Sequence, residues 1–180
     1  MPTSNELYAV SAGSKLLILV RHAKSDWGNL SLSDFERPLN ERGKKDAPAM
    51  AERLKEKKID IDLFIASPAK RAAKTAKAFV EVFDKKKDEI IFEKDLYLAS
   101  TDIFFNVIEN TNDKARSIAV FSHNDGITHF ANLLTDARID NIPTCGIFAV
   151  KATCDSWKDF KNVKKEFLFF DYPKKPDSTD

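Results

Sequence analysis

The chain has 180 residues, of which 43% are hydrophobic and 11% aromatic, and this is enough for one domain with a full core. Its 29 Lys and Arg residues nearly balance its 28 Asp and Glu residues, so the net charge of +1 gives no indication of nucleic-acid or membrane binding. No apolar stretch approaches the roughly 20 residues of a membrane-spanning helix. Residues 1–14 also lack the pattern of a secretory signal, and we therefore expect a cytoplasmic protein.

The predicted elements begin after a small, polar segment, residues 1–14, which we expect to be a flexible arm. Residues 15–171 are predicted to form a single domain, and residues 172–180, rich in Pro, Lys and Asp, a tail. Short runs of apolar and branched side chains predict strands at 15–20, 59–66, 90–92, 117–121, 146–151 and 167–170, the last as a possible edge. The first run is continuously apolar, which is typical of a strand buried on both faces.

Helices are predicted between these strands from apolar residues at helical spacing. We expect them to begin at Asn40 or Glu41, after Ser67-Pro68, at Ser100 or Thr101, and after Asn124. Strands that alternate with helices indicate right-handed βαβ units. The predicted fold class is therefore α/β, a three-layer α/β/α sandwich around a mostly parallel sheet. Residues 28–38 have no helical period and are predicted to be a loop over the site that follows the first strand.

Basic side chains follow three of the predicted strands. Arg21 and His22 come directly after the first strand, Arg71 lies in the first turn of the helix after the second, and His123 follows the strand at 117–121. Because the carboxyl ends of parallel strands share one edge of a sheet, where ligands bind, we expect these four side chains to converge. Guanidinium groups and helix amino ends suit the oxygens of a phosphoryl group. The sequence therefore predicts a phosphoryl pocket.

Elimination leaves histidine as the nucleophile of this pocket. No Cys lies at these strand ends, the five Gly residues form no phosphate loop, and no carboxylate cluster indicates a metal site, so neither metal nor other cofactor is expected. We favour His22, because the adjacent Arg21 lowers its pKa and leaves the ring neutral and nucleophilic. His123 is expected to donate to the phosphoryl oxygens, and Asn124 is a candidate for substrate contact.

Four motifs in this order resemble those of the histidine phosphatase superfamily, which includes the phosphoglycerate mutases: Arg21-His22, PLNERG at 38–43, SPAKRAAKTA at 67–76 and SHNDG at 122–126. The segments RHAKSDW and ERPLNERGKKDAP are most similar to its SixA-type phosphohistidine phosphatases. The resemblance covers about residues 16–150. It implies a phosphoglycerate mutase-like fold, with His22 as the phosphorylated nucleophile and with Arg21, Arg71 and His123 around the phosphate.

Two positions depart from the family pattern. Ala23 replaces the Gly that usually follows the Arg-His pair, and Leu98 stands where mutase-like members place an acidic Glu. Asp26, Glu93 and Asp95 remain candidates for the general acid. An alkoxide leaving group, whose conjugate acid has a pKa near that of water at about 15.7, needs such an acid. Imidazole, with a pKa of about 6.5, leaves far more easily. A missing acid would therefore favour phosphohistidine as the substrate.

The predicted function is that of a metal-independent phosphohydrolase that works through phospho-His22 on a phosphohistidine protein. Two alternatives stay open: a phosphatase of small phosphate monoesters, and a non-catalytic module that binds phosphate or a phosphoprotein. The presence of both His22 and His123 favours an enzyme, because a binding module needs only the arginines. Neither nucleic acid nor a membrane is expected as a partner, and no oligomeric state follows from the sequence.

Overall fold

A six-stranded sheet forms the middle layer of the protein in a computed structural model that describes Tyr8 and residues 10–174. Its strands are β1 (Lys15–Arg21), β2 (Leu63–Ala66), β3 (Ile91–Phe92), β4 (Ser117–Ser122), β5 (Ile147–Ala152) and β6 (Lys165–Asp171). The order across the sheet is β3-β2-β4-β1-β5-β6, so the last strand forms one edge, as predicted. The first four strands in this order pair in parallel, and β5 pairs antiparallel with both β1 and β6.

The helices of the described residues cover both faces of the sheet. They are α1 (Glu41–Glu56), α2 (Lys70–Val82), α3 (Thr101–Glu109) and α4 (Gly126–Leu134), with 3₁₀ helices at Lys87–Glu89, Lys94–Leu96 and Trp157–Asn162. Helices α1 and α2 pack on one face and share a core with Ile18, whereas α3 and α4 share the opposite core with Leu17. Successive side chains of a strand point to opposite faces, so β1 contributes to both cores. The predicted α/β/α sandwich with a mostly parallel sheet is confirmed.

Strand β1 lies in the middle of this arrangement. Each side chain from Leu16 to Val20 is fully buried, because β4 and β5 flank the strand and helices cover it above and below. At its end the register pairs Arg21 with Ser122 of β4. The residues that follow these two strands, His22 and His123, therefore leave the sheet at the same level.

The second strand is shorter than the sequence indicates. Residues 59–66 were expected to form it, but β2 begins only at Leu63. Ile59 and Ile61 are buried by packing and not by strand pairing. The ladder with β4 starts at Leu63, and the preceding residue, Asp62, accepts hydrogen bonds through its side-chain Oδ2 from the backbone N–H groups of Arg116 (2.7 Å) and Ser117 (3.0 Å). The alternating apolar residues before Leu63 therefore reflect burial in the core and not strand pairing.

The two chain ends are described in part. Tyr8 packs edge-on against Phe169 with ring centroids 5.4 Å apart. Residues 1–7 and 9 of the predicted arm, and residues 175–180 of the predicted tail, lie outside the described residues. Within the described part of the chain, no helix is both long enough and apolar enough to cross a membrane.

Candidate active site

The ends of β1, β2 and β4 bring the predicted site residues into one cavity of about 420 Å³. Arg21, His22, Arg71, His123 and Asn124 all line it. The rings of His22 and His123 lie with their centroids 5.1 Å apart, and both side chains are almost fully buried. The remaining lining residues are Lys24, Ser25, Trp27, Asp34, Arg37, Leu98 and Thr144. The convergence expected from the parallel strands is therefore present.

Hydrogen bonds assign the tautomer of His22. Its Nδ1 lies 2.8 Å from the carbonyl oxygen of Ala23, which only accepts, so Nδ1 carries the hydrogen and donates it. The lone pair then resides on Nε2, which accepts a 3.3 Å hydrogen bond from Nε of Arg71. Burial, followed by the charges of Arg71 and Arg21, lowers the pKa of His22 to about 3. At neutral pH the ring is uncharged, and Nε2 is the nitrogen available to a substrate.

Two side chains that line this cavity, Arg21 and His123, each have a buried nitrogen without a hydrogen-bond partner among the described residues: Nε of Arg21 and Nδ1 of His123. Burial, followed by His22 and Arg71, lowers the pKa of His123 to about 2, so this ring is also neutral. Its Nε2 lies 2.8 Å from Oγ of Ser67. When that hydroxyl donates, Nδ1 of His123 keeps the hydrogen. Buried donors are costly to leave unpaired, so these two nitrogens, beside the charge of Arg71, suit an anionic ligand.

Asn124 contacts the same region through its neighbours. Its Nδ2 donates to Oδ1 of Asn141, and its Oδ1 accepts a 2.6 Å hydrogen bond from the hydroxyl of Thr128. Asn141 also accepts from Nη1 of Arg21 at 3.4 Å, and Nη1 donates to the carbonyl oxygen of Ile142 at 2.7 Å. These contacts hold Nη1 of the Arg21 guanidinium and do not involve its Nε. Asn124 thereby borders the cavity without a direct bond to either histidine.

The loop at residues 28–38 supplies a carboxylate that the sequence did not single out, Asp34. Its Oδ2 accepts from Nη2 of Arg71 (2.9 Å) and from the hydroxyl of Tyr97 (2.7 Å). Its Oδ1 accepts from Nε of Arg37 (3.1 Å), and its backbone oxygen accepts from Nη1 of Arg71 (2.5 Å). Burial acts to raise the pKa of Asp34, but the bonds from Tyr97, Arg37 and Arg71 outweigh it and hold the pKa well below its usual range. Asp34 is therefore ionised.

Arg37 is the second residue that the sequence did not single out. Only 8% of it is exposed, although its loop is mostly exposed. Its guanidinium carbon lies 3.5 Å from the ring centroid of Trp27, and Nη1 donates to Oγ of Ser25 at 3.3 Å. Asp34 and Arg37 stand three residues apart in a turn, a spacing at which an ion pair forms readily. This spacing, directly before the PLNERG motif that begins at Pro38, is the sequence signal that could have identified the Asp34–Arg37 pair.

The three candidate acids do not reach the cavity. Asp26 accepts from the backbone N–H of Gly28 (2.7 Å) in an exposed turn, whereas Glu93 and Asp95 line a separate cavity beside β3 and α3. Leu98 does line the candidate site, 61% exposed and with a φ of 53°. Among the described residues around this cavity, Asp34 supplies the carboxylate.

The backbone beside His22 is tied to both neighbouring helices. Oγ1 of Thr75 in α2 accepts from the N–H of Ala23 (2.9 Å) and donates to the carbonyl oxygen of Arg71 (2.7 Å). Gly43 in α1 lies so near the chain that a Cβ there would be 2.1 Å from the carbonyl oxygen of Lys24. Ala23 has no positive φ, so the usual Gly is not required at this position. The segment that carries His22 is held rigidly.

Fold and site together define an α/β protein with an anion pocket around a neutral histidine. The family model described as histidine phosphatase superfamily (branch 1) matches residues 17–97. An uncharacterised chloroplastic protein of Arabidopsis thaliana is 30% identical over 154 residues, which span 81% of this chain and 70% of that protein. The chain belongs to the histidine phosphatase superfamily.

Solved structures show the same fold. A candidate phosphohistidine phosphatase SixA from Agrobacterium tumefaciens superposes with a TM-score of 0.74 at 22% identity, covering 88% of this chain and 98% of that chain. The protein histidine phosphatase SixA complexed with tungstate superposes with a TM-score of 0.75 at 20% identity, covering 88% and 97%. The predicted family resemblance is confirmed. Membership in this superfamily supports a phosphatase as the class of enzyme.

Proposed function

We propose that this protein is a metal-independent phosphohistidine phosphatase that works through a covalent phosphoryl group on His22. One observation carries the proposal. His22, whose Nε2 carries the lone pair, lines one cavity together with Arg21 and His123, and each of these two has a buried nitrogen without a partner, Nε of Arg21 and Nδ1 of His123. A neutral nucleophile surrounded by donors for anionic oxygens is the arrangement that phosphoryl transfer needs.

In the first step, Nε2 of His22 attacks phosphorus as the bond from phosphorus to the leaving nitrogen breaks. The other ring nitrogen of the substrate carries a proton, so the electron pair of that bond stays on the leaving nitrogen and the imidazole departs as a neutral ring. Arg21 and His123 donate to the phosphoryl oxygens from their unpaired groups. The 3.3 Å hydrogen bond from Arg71 to Nε2 is given up at this point, and the same N–H then donates to a phosphoryl oxygen that has taken the place of Nε2. Charge on the equatorial oxygens is thereby stabilised as it is redistributed.

In the second step, water attacks the phosphorus of phospho-His22. The bond from phosphorus to Nε2 breaks and its electron pair returns to Nε2. Both protons of the water stay with the released phosphate, one on the attacking oxygen and one on a phosphoryl oxygen. Inorganic phosphate and neutral His22 result, so the cycle closes without a metal ion. The hydrogen bond from Nδ1 to the carbonyl oxygen of Ala23 holds the ring in one tautomer through both steps.

The lack of a protonated carboxyl group among the described residues of the cavity supports a phosphohistidine substrate over an alkyl phosphate. The carboxylate of the cavity, Asp34, is ionised, and the position aligned with the family acid holds Leu98. An alkoxide cannot leave readily without a proton donor, whereas imidazole, with a pKa of about 6.5, can. The SixA folds above are consistent with a protein-borne phosphohistidine as the natural substrate.

The test is phosphate release in the presence of EDTA from a phosphohistidine protein and from a simple phosphate monoester. Wild type should turn over the phosphohistidine protein faster, and His22→Ala should lower kcat by about 10³-fold or more. His129→Ala is the matched control, since this histidine is exposed on α4, and its activity should equal that of wild type. A wild type that prefers the monoester indicates the small-molecule phosphatase. Inactivity on both substrates indicates a binding module, and activity in His22→Ala indicates another nucleophile.

A further inference from the structure

The guanidinium of Arg71 is held from its outer side by one residue of the loop. Arg71 is 3% exposed, and a guanidinium has five N–H donors in a rigid plane. Nη1 donates to the backbone oxygen of Asp34 and Nη2 to its carboxylate, at 2.5 Å and 2.9 Å. Nε is then directed at Nε2 of His22, 3.3 Å away. The orientation of the Arg71 plane is therefore set from two opposite sides.

We propose that Asp34 is a positioning residue for the phosphoryl pocket: it holds the outer edge of Arg71 so that Nε stays directed at the nucleophilic nitrogen of His22. It acts on Arg71 and does not touch the substrate. A planar donor group fixed in this way needs no reorientation when charge develops on the phosphoryl oxygens. The kinetic consequence of this inference rests on the proposed function, but the geometry of Arg71 does not.

The carboxylate of Asp34 accepts hydrogen bonds from neighbouring side chains, whereas the loop at residues 28–38 is held to α2 by hydrogen bonds to its backbone oxygens. The N–H of Lys70, at the start of α2, donates to the carbonyl oxygen of Phe35 at 3.0 Å. The bond from Nη1 of Arg71 to Asp34 also uses a backbone oxygen. Loss of the Asp34 side chain therefore leaves two anchors of the loop in place. What it removes is the contact that joins Arg71, Arg37 and Tyr97.

A different role for Asp34 makes the opposite prediction. If its carboxylate occupied the place of the substrate on Arg71, its removal would open the pocket and raise kcat/KM. The contacts favour positioning, because Asp34 engages Nη1 and Nη2 while Nε, the donor nearest His22, stays on the side of the cavity. Substrate oxygens reach that side without displacing the carboxylate.

The kinetic test compares Asp34→Ala and Asp34→Asn with Glu36→Gln, which removes a charge from an exposed residue of the same loop. Both Asp34 variants should lower kcat about 10-fold or more. The inhibition constant for inorganic phosphate should stay within about threefold of the wild-type value or decrease, because a negative charge beside the pocket is lost. Glu36→Gln should match wild type. An unchanged or higher kcat, or a parallel loss of turnover and phosphate binding, overturns the proposal.

A readout without turnover separates this inference from the proposed function. The ¹H–¹⁵N signal of Arg71 Nε, assigned by its loss in Arg71→Lys, should exchange slowly with solvent in wild type. Asp34→Ala should accelerate that exchange about 10-fold or more, since one side of the plane is released, and Glu36→Gln should not. Slow exchange retained in Asp34→Ala overturns the inference even for an active enzyme. If wild type is inactive but the exchange accelerates, the positioning stands and the proposed function fails.

Discussion

The Nε atom of Arg71 lies 3.3 Å from Nε2 of His22, so a guanidinium donor occupies the lone pair of the proposed nucleophile. On the opposite side of the ring, Nδ1 donates to the carbonyl oxygen of Ala23. The imidazole is thus held at both nitrogens before a substrate enters. The incoming phosphoryl group replaces Arg71 at Nε2 and offers the guanidinium an oxygen in exchange.

Arg71→Lys should lower kcat by about 10²-fold or more, because an ammonium group cannot reach His22 and Asp34 with donors held in one plane. The measurement is steady-state release of phosphate from a phosphohistidine protein. Arg42→Lys is the matched control, since Arg42 is an exposed residue of α1 with a 3.2 Å ion pair to Asp46. A loss of less than about threefold in Arg71→Lys would show that charge alone suffices.

Ser67→Ala should lower kcat about 10-fold, because the 2.8 Å contact between Oγ and Nε2 of His123 fixes the tautomer that leaves a hydrogen on Nδ1. His123→Asn should lower kcat further, about 10²-fold or more, since it removes that donor from the cavity. Substrate turnover by both variants is compared with that of His129→Asn, whose histidine is exposed. Equal activity of Ser67→Ala and wild type would contradict the assigned tautomer.

Acid should destabilise the protein before its carboxylates titrate. His22 and His123 have pKa values of about 3 and about 2 in the folded chain, against about 6.5 when unfolded. Between these values the unfolded chain binds more protons, so the free energy of unfolding falls as the pH drops below about 6.5. Unfolding in guanidinium chloride, at pH values from about 7.5 to about 5, measures this change in the free energy of unfolding. The slope of the unfolding free energy against pH should decrease in His123→Asn by the equivalent of about one bound proton, and it should not change in His129→Asn. A slope unchanged in His123→Asn would contradict a neutral, buried His123.

Thr75→Val should lower the free energy of unfolding by about 1–3 kcal/mol, because the N–H of Ala23 then loses its acceptor in a buried site. Turnover should fall as well, since the same hydroxyl ties the segment of His22 to α2. Thr75→Ser retains the hydroxyl and is the control, with stability near that of wild type. Chemical denaturation and kcat are measured on the same preparations. A stable Thr75→Val protein with reduced kcat would separate the local effect from the global one.

The sequence predicts the sheet and the convergence of four side chains because both follow from general rules. A continuous apolar run such as Leu16–Val20 suits a strand covered on both faces, and parallel strands end at one edge. Arg21, His22 and His123 stand directly at those ends and Arg71 in the first turn of the helix that follows β2, so their convergence can be predicted without the long loops. The predicted start of the strand at 59–66 was wrong, because alternating apolar residues do not reveal where the pairing partner of a strand ends.

The contacts of Asp34, Arg37 and Tyr97 were not predictable in the same way. The loop at residues 28–38 has no periodicity, so its sequence does not specify which side chains turn inward. The inward direction of Asp34 depends on the start of α2, where Arg71 and Lys70 bind the loop backbone. For the same reason Glu93 and Asp95 were plausible acids by proximity in sequence, although their side chains line a different cavity.

The contact between Arg37 and Trp27 gives the protein an optical signal of its own. The sequence contains two tryptophans, and they have opposite surroundings: Trp157 is fully buried, whereas Trp27 is 65% exposed at the cavity. An aqueous quencher such as iodide therefore reaches the Trp27 indole and leaves the emission of Trp157 intact. The Arg37 guanidinium lies over the ring of Trp27 and also binds Asp34. A ligand that moves the Arg37 guanidinium should therefore change the fluorescence of Trp27. We therefore expect a ligand in the pocket to be detectable by the fluorescence of unlabelled protein.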